Sequence, residues 1–199
     1  MGSSNSLYVV TNPCSIIQGT LTYDNNFSSP ISATPVYLSR NNEVVQHFTD
    51  NLGHFEFKNV GVGSYFLSVD ISKPWGGVNS IDALLMLKHF VHFTNLVNLK
   101  VKAADIDGTG FINSSDALVA TRRFVQLISS FVVLNWFSTS SLISVTGTYT
   151  ITSNLKGICY GDVDGSYIPS LKAEPDINLL RSFENIMSQF RITCLKLPN

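Results

Sequence analysis

The sequence predicts a mainly β protein with a small α part: a β-sandwich joined to a duplicated pair of loop–helix units. Three observations lead there. Short alternating apolar runs, broken by turn residues, fill residues 7–70. Two stretches within 76–128 have helical spacing and repeat one another at an offset of 34 residues, Asn79 to Asn113. Strand-like runs then return at 131–160.

In chain order, "LYVV" reads as a strand stopped by Asn-Pro, and "SIIQGTLTY" as a second, moderately alternating one. "NNFSSPISATP" is a loop carrying the sequon Asn26-Phe27-Ser28. "PVYLSR", "VVQHFTD", "HFEFKNV" and "SYFLSVD" follow, separated by Asn-Asn, Asn-Leu-Gly and Gly-Val-Gly turns. Phe55, Phe57, Val60, Tyr65, Leu67 and Val69 fall on one inner face of the last two. "VNSIDALLMLKHFVHF" has Leu84, Leu85, Leu87, Val91 and their neighbours at helical spacing, and so does "INSSDALVATRRFVQLI". "FVVLNWF", "LISVTGTYTIT" and "NLKGICY" are strands that extend the sandwich or form a small sheet beside it. In the tail, Leu179, Leu180, Phe183, Ile186, Met187 and Phe190 fit one helical face, with "RITCLKL" as a closing strand. The boundaries expected are 1–72 for the sandwich, 73–130 for the helical repeats, 131–171 for the returning strands and a partial loop, and 172–199 for the tail.

Composition narrows the function classes. Apolar residues make up 44% and charged residues only 14%, against about 25% in typical soluble domains, a bias that suits an extracellular or cell-surface protein. Net charge is −1, which leaves no electrostatic footprint for nucleic acid. No apolar run is long enough for a membrane span. The first ten residues lack the basic start and apolar stretch of an export leader, so a secreted location implies one not seen here. The three cysteines lack CxxC spacing, which argues against zinc; they suggest either one disulfide, Cys14 with Cys159, or three buried thiols.

The chemistry lies in "AADIDGTGFINSSDAL". Calcium takes roughly six to eight hard oxygens, and alternate positions of a tight twelve-residue loop aim them at one centre. Asp105, Asp107 and Thr109 stand at the first, third and fifth positions, the Phe111 carbonyl at the seventh, and Asp116 at the closing position; Gly110 takes the sharp turn. Without a metal, the same residues would be an Asp-rich turn with an acidic helix start. The first repeat lacks this opening, because Ile71, Lys73 and Trp75 occupy the ligand positions, yet "GGVNSIDAL" keeps the closing half with Asp82. The missing opening reappears far downstream in "GDVDGSYIP": Asp162, Asp164 and Ser166, with the Ile168 carbonyl at the seventh position. Either these halves form one split calcium site or they are a capping aspartate and an unrelated polar turn. His89 and His92 share a helix face without a third ligand and read as surface residues. No nucleophile elbow or phosphate loop occurs, and the prominent carboxylates are assigned to calcium, so an enzyme is not expected.

Two resemblances follow from these residues. "GTLTY…PVYLSR…TDNLGHFEFKNVGVGSYFLSVD" resembles the carboxypeptidase-regulatory-like, transthyretin/Ig-like sandwich, which implies a scaffold without catalytic residues. The duplicated unit ending in "D-x-D-x-T-G-x-I-N-S-x-D-A-L" resembles dockerin, which implies calcium and a cohesin-like β-sandwich partner engaged through Ser80, Ile81, Ser114 and Ser115, with Lys88, Arg122 and Arg123 nearby. Together with "KPWGG", these segments resemble modules of large secreted surface proteins of Bacteroidota. The implied role is a calcium-stabilised structural or assembly subunit of a surface layer, adhesin or filament, self-assembling through strand edges; the alternative is a dockerin-like recognition module.

Overall fold

The computed structural model describes residues 14–169. The expected "LYVV" strand, the tail helix and "RITCLKL" lie outside them. Nine strands and three helices follow in order: β1 Ser15–Tyr23, β2 Pro35–Arg40, β3 Glu43–Phe48, β4 His54–Val60 and β5 Gly63–Val69; then α1 Ser80–Phe90, α2 Leu99–Ala104 and α3 Ser114–Phe124; then β6 Trp136–Ser138, β7 Ser141–Val145, β8 Thr150–Thr152 and β9 Leu155–Cys159. One sheet runs β4-β1-β9-β6 with β8 also on β1, and the other runs β3-β2-β5-β7.

Local chemistry sets the frame. β1 alternates buried and half-buried residues along its whole length, so Ile17, Leu21 and Tyr23 enter the core. Asn41 and Asn42 both take positive φ and join β2 to β3 in a two-residue hairpin, a backbone state asparagine tolerates. The Tyr65 hydroxyl donates to the Gly61 carbonyl (2.9 Å) and ties the β4–β5 turn to the strand that follows it. Phe55, Phe57, Val60, Tyr65 and Leu67 are buried as expected from period two, and Val69 packs at their margin.

The returning strands complete the sandwich on both sides. β7 pairs antiparallel with β5 in one sheet, while β8 and β9 lie parallel to successive parts of β1 in the other. The helices are therefore an excursion between β5 and β6 of a single sandwich. Of "FVVLNWF", only its end is strand, and Phe131 instead packs under the helices.

The helical unit has its own small core of Ala83, Met86, Ala104, Ile106, Ala117, Ala120, Phe131 and Val163. Of the residues at helical spacing, Leu84, Leu87 and Val91 are 49%, 40% and 64% exposed, while Leu85 packs half-buried against this core, because α1 and α3 bury mainly alanine and methionine. The short α2, not anticipated from the sequence, supplies Ala103 to the sandwich core and Ala104 to the helical one. Trp75 packs against both cores, with Phe131 edge-on at 5.5 Å and the Arg123 guanidinium 4.1 Å over its ring. Its indole N–H donates to the Tyr160 carbonyl (2.9 Å).

Candidate metal centres

Each centre begins with a helix start. Asn79 and Asn113 cap α1 and α3: each side-chain oxygen accepts from the second residue beyond it, Ile81 N (2.7 Å) and Ser115 N (2.6 Å). Reciprocally, the Asn79 and Asn113 backbone N–H groups donate to Asp82 (2.8 Å) and Asp116 (2.9 Å). These are capping boxes with aspartate as the answering residue, and they leave one oxygen of each aspartate aimed beyond the helix.

In the continuous loop that second oxygen of Asp116 accepts from the Ile106 and Asp107 N–H groups (3.0 and 3.3 Å). Asp107 accepts from the Thr109 backbone (3.1 Å) and hydroxyl (2.7 Å), and the Thr109 hydroxyl also reaches the Phe111 carbonyl (3.3 Å). Asp105 accepts from Gly110 N (3.0 Å). One carboxylate oxygen from each of Asp105, Asp107 and Asp116 lies within 4.8 Å of the others.

The second centre repeats this frame across two distant segments. Asp82 accepts from Val163 N (2.7 Å) and Asp164 N (2.8 Å), 81 and 82 residues away. Asp164 accepts from Ser166 N (2.8 Å), and Asp162 from Tyr167 N (3.1 Å), as their counterparts do. Gly165 and Gly108, fourth in their loops, have φ of 73° and 72°. Asp82, Asp162 and Asp164 again bring oxygens within 4.8 Å. The turn that carries Asp162 leaves directly from β9, and its N–H at Gly161 donates to the Ala103 carbonyl at the end of α2 (2.8 Å).

A second carbonyl stands beside the expected Ile168. Ile168 is 63% exposed and makes no polar contact with the cluster among the described residues. The carbonyl reached by the fifth-position hydroxyl is Gly77: the Ser166 hydroxyl donates to it at 3.2 Å, as Thr109 does to Phe111. The signal was in the repeat, since Gly77 aligns with Phe111. Ile71 and Trp75 cannot open a loop because the sandwich core and the inter-core junction use them. Tyr23 was also missed: from the middle of the sandwich its phenol donates to Asp162 (2.5 Å) and accepts from Cys159 N (3.0 Å).

Electrostatics point to a cation. Burial pushes the Asp82 carboxyl up to about 7; hydrogen bonds from Asp164 and Asn79 pull it back, and the Asp164 and Asp162 charges raise it further. Burial likewise raises Asp116 and Asp162. For Asp164 burial also raises the value, but hydrogen bonds from Ser166, Asp162 and Asn79 together outweigh it and hold the group low. Asp105 Oδ1 is buried with no hydrogen-bond partner. Such an orphan costs free energy unless a ligand answers it, and an all-oxygen donor set in a tight loop is the chemistry calcium accepts.

The other residues singled out in the sequence have these surroundings. Ser80, Ile81, Ser114 and Ser115 lie exposed at the starts of α1 and α3. Arg123 is not free beside them, being stacked on Trp75. His89 accepts from Leu96 N (3.2 Å) and stabilises the turn after α1, a structural role. The Cys14–Cys159 pairing is not formed: Cys159 is a free thiol sealed in the sandwich core, whereas Cys14 is disulfide-bonded. No helix among the described residues is long and apolar enough to cross a membrane.

A family model for the Dockerin type I domain matches residues 76–124, which take in all three helices and the continuous loop but not the turn at 160–167. Domains of that type bind calcium and engage cohesin partners. No curated protein matches the chain. Among solved structures, the chain is similar to the Bacillus anthracis TIE protein (TM-score 0.37, 11% identity, covering 74% of this chain and 17% of that one). It is similar as well to a DUF3823 family protein from Parabacteroides merdae (0.35, 14%, covering 75% and 48%). A third is GBS52, the minor pilin of Streptococcus agalactiae (0.36, 8%, covering 82% and 50%). The chain thus spans half or less of each of these structures.

Proposed function

We propose that this chain is a non-catalytic, calcium-stabilised extracellular module that serves as an assembly subunit, with calcium held by two Asp-centred loops. The observation that carries this reading is the shared frame: the same helix-capping aspartate, the same backbone donors and the same hydroxyl-to-carbonyl contact recur at Asp116 and Asp82. In the continuous site Asp105, Asp107, Thr109, the Phe111 carbonyl and Asp116 would hold the ion. In the split site Asp82, Asp162, Asp164 and Ser166 would. Calcium would neutralise three converging carboxylates in each, and the chain's own part is to keep them together.

A second reading rests on a separate observation. Ile81, Leu84, Leu87 and Val91 form an exposed apolar stripe along α1, whereas the matching positions of α3 are Ser115, Leu118, Thr121 and Val125. Fully burying one such side chain yields about 1.5–3 kcal/mol, so α1 is the stronger face for a cohesin-like partner, beginning at Ser80 and Ile81. Ser114 and Ser115 would give α3 the weaker one.

Calcium titration of the whole chain should yield two bound ions, and one in Asp116→Asn. Sedimentation with and without chelator, alone and with a purified cohesin-type domain, separates the readings. Calcium-dependent self-association supports the assembly subunit, and a monomer that captures the cohesin-type domain supports recognition. A chain that binds no calcium overturns both.

A further inference from the structure

The geometry assigns the seventh-position oxygen of the split loop to the Gly77 carbonyl and makes Tyr23 the residue that positions Asp162, so that an ion held there fastens α1 to the sandwich. This rests on the proposed calcium reading and goes beyond it, because it turns one of two similar ions into the joint between the two parts of the fold.

Three observations carry it. First, the Gly77 carbonyl accepts from both the Ser166 hydroxyl (3.2 Å) and the Asn79 amide (3.0 Å), which brings it into the circle of Asp162, Asp164 and Asp82. Second, Gly77 admits no side chain. Its φ is 94°, and a Cβ there would meet Asp162 Cγ at 2.5 Å and Oδ2 at 2.6 Å. Asp162 cannot step aside, since it is fully buried and held by Tyr23, Ser166 N (3.0 Å) and Tyr167 N (3.1 Å). Close approach of the backbone at a ligand is a position where only glycine serves. Third, Tyr23 lies on β1 with its ring against Trp136 and Tyr167, both centroids within 5.6 Å, and its phenol spans β9 and Asp162. It transmits the position of the sandwich core to one ligand of the ion. The continuous loop differs in that all its proposed ligands come from 105–116.

The consequence is a division of labour. Calcium in the continuous loop orders the start of α3 and needs nothing else. Calcium in the split loop forms only when β9, Tyr23 and the Gly77 segment are already together, and it then holds them. Partners behind a ligand commonly affect metal affinity by about 10–100-fold.

The test uses the whole chain, with calcium as the probe. Equilibrium binding is measured for the natural protein, Gly77→Ala, Tyr23→Phe and Asp116→Asn, and amide exchange is followed for 77–86 and 157–167. Gly77→Ala should bind one ion instead of two. Tyr23→Phe should bind two, one of them roughly tenfold more weakly. In Asp116→Asn the remaining ion should still slow exchange in both segments together, a response that mere loss of packing does not give. If Gly77→Ala fails to fold, Tyr23→Phe and the exchange data decide. Two ions of unchanged affinity in both Gly77→Ala and Tyr23→Phe, or protection of only one segment, overturns the inference while the calcium reading stands. A natural protein that binds only the 105–116 ion overturns the inference and the split site. Binding of none removes the calcium reading as well.

Discussion

Asp82 is a buried carboxyl whose folded-state pKa, about 7, lies above its unfolded value of 3.8. A raised acid of this kind contributes stability as its protonated form. That contribution is complete below the unfolded pKa and is lost as pH rises through the folded one. Asp116 and Asp162 move in the same direction as Asp82, and Asp164 in the opposite one. The chelated protein should therefore melt higher at about pH 5 than at about pH 8. Calcium requires the ionised carboxylates, so its stabilising increment should grow over the same interval, with proton release on binding. Melting curves at both pH values, with calcium and with chelator, check this; a calcium increment independent of pH would show that these carboxyls are already ionised in the metal-free fold.

At the scale of elements, the two helix starts provide an internal comparison. Asn79 and Asn113 make the same cap, and removing such a side chain costs about 1 kcal/mol. Asn79 has additional contacts, its amide donating to Gly77, Asp164 (3.3 Å) and Ser166 (3.2 Å). Asn79→Ala should thus destabilise the protein by about 2 kcal/mol more than Asn113→Ala, because its two amide hydrogens, shared among three acceptors, each lose a hydrogen bond of about 1 kcal/mol. Equal denaturation midpoints for the two variants would mean that the split loop contributes nothing to the cap. The strands were readable from the sequence because period two survives wherever one face is buried, as in β1 and β4. Both of the longer helices were readable from the repeat, and so was the spacing of the aspartates whose oxygens converge at each loop. Which side of the helical spacing faces the core was not. Apolar spacing marks a stripe but does not tell a core-facing leucine from an exposed one, and here alanine does the packing. The Gly77 carbonyl opposite Ser166 was overlooked for a related reason: which carbonyl meets that hydroxyl depends on where two distant backbones come together, and the alignment of Gly77 with Phe111 in the repeat was its only sign. Cys159 shows the same limit, since thiol pairing is a matter of distance across the fold and not of neighbouring strands.

At the largest scale, two cores of unequal size among the described residues share Trp75 as a boundary residue. The sandwich core is built from large side chains such as Tyr23, Phe55, Ile17, Leu21 and Leu67, all fully buried. The helical core relies on alanines, Met86 and Ile106, with three acidic groups clustered at each loop beside it. The smaller core has less apolar area to offset chain entropy and carries the charge repulsion, so it should depend on calcium while the sandwich does not. In chelator, calorimetry should resolve two transitions, the lower one accompanied by a change in Trp75 fluorescence as Arg123 and Phe131 leave its ring. Calcium should merge them by raising the lower one, because an ion shared between Asp82 on α1 and Asp162 beyond β9 makes opening of either part disrupt the other. Amide exchange assigns the transitions: in chelator, protection around Ala83–Met86 and Ala117–Ala120 should fall well before that of β1 and β4. A single transition at the same temperature with and without calcium would mean that the helices are held by packing alone, and that the acidic clusters do not govern the attachment of α1 to the sandwich.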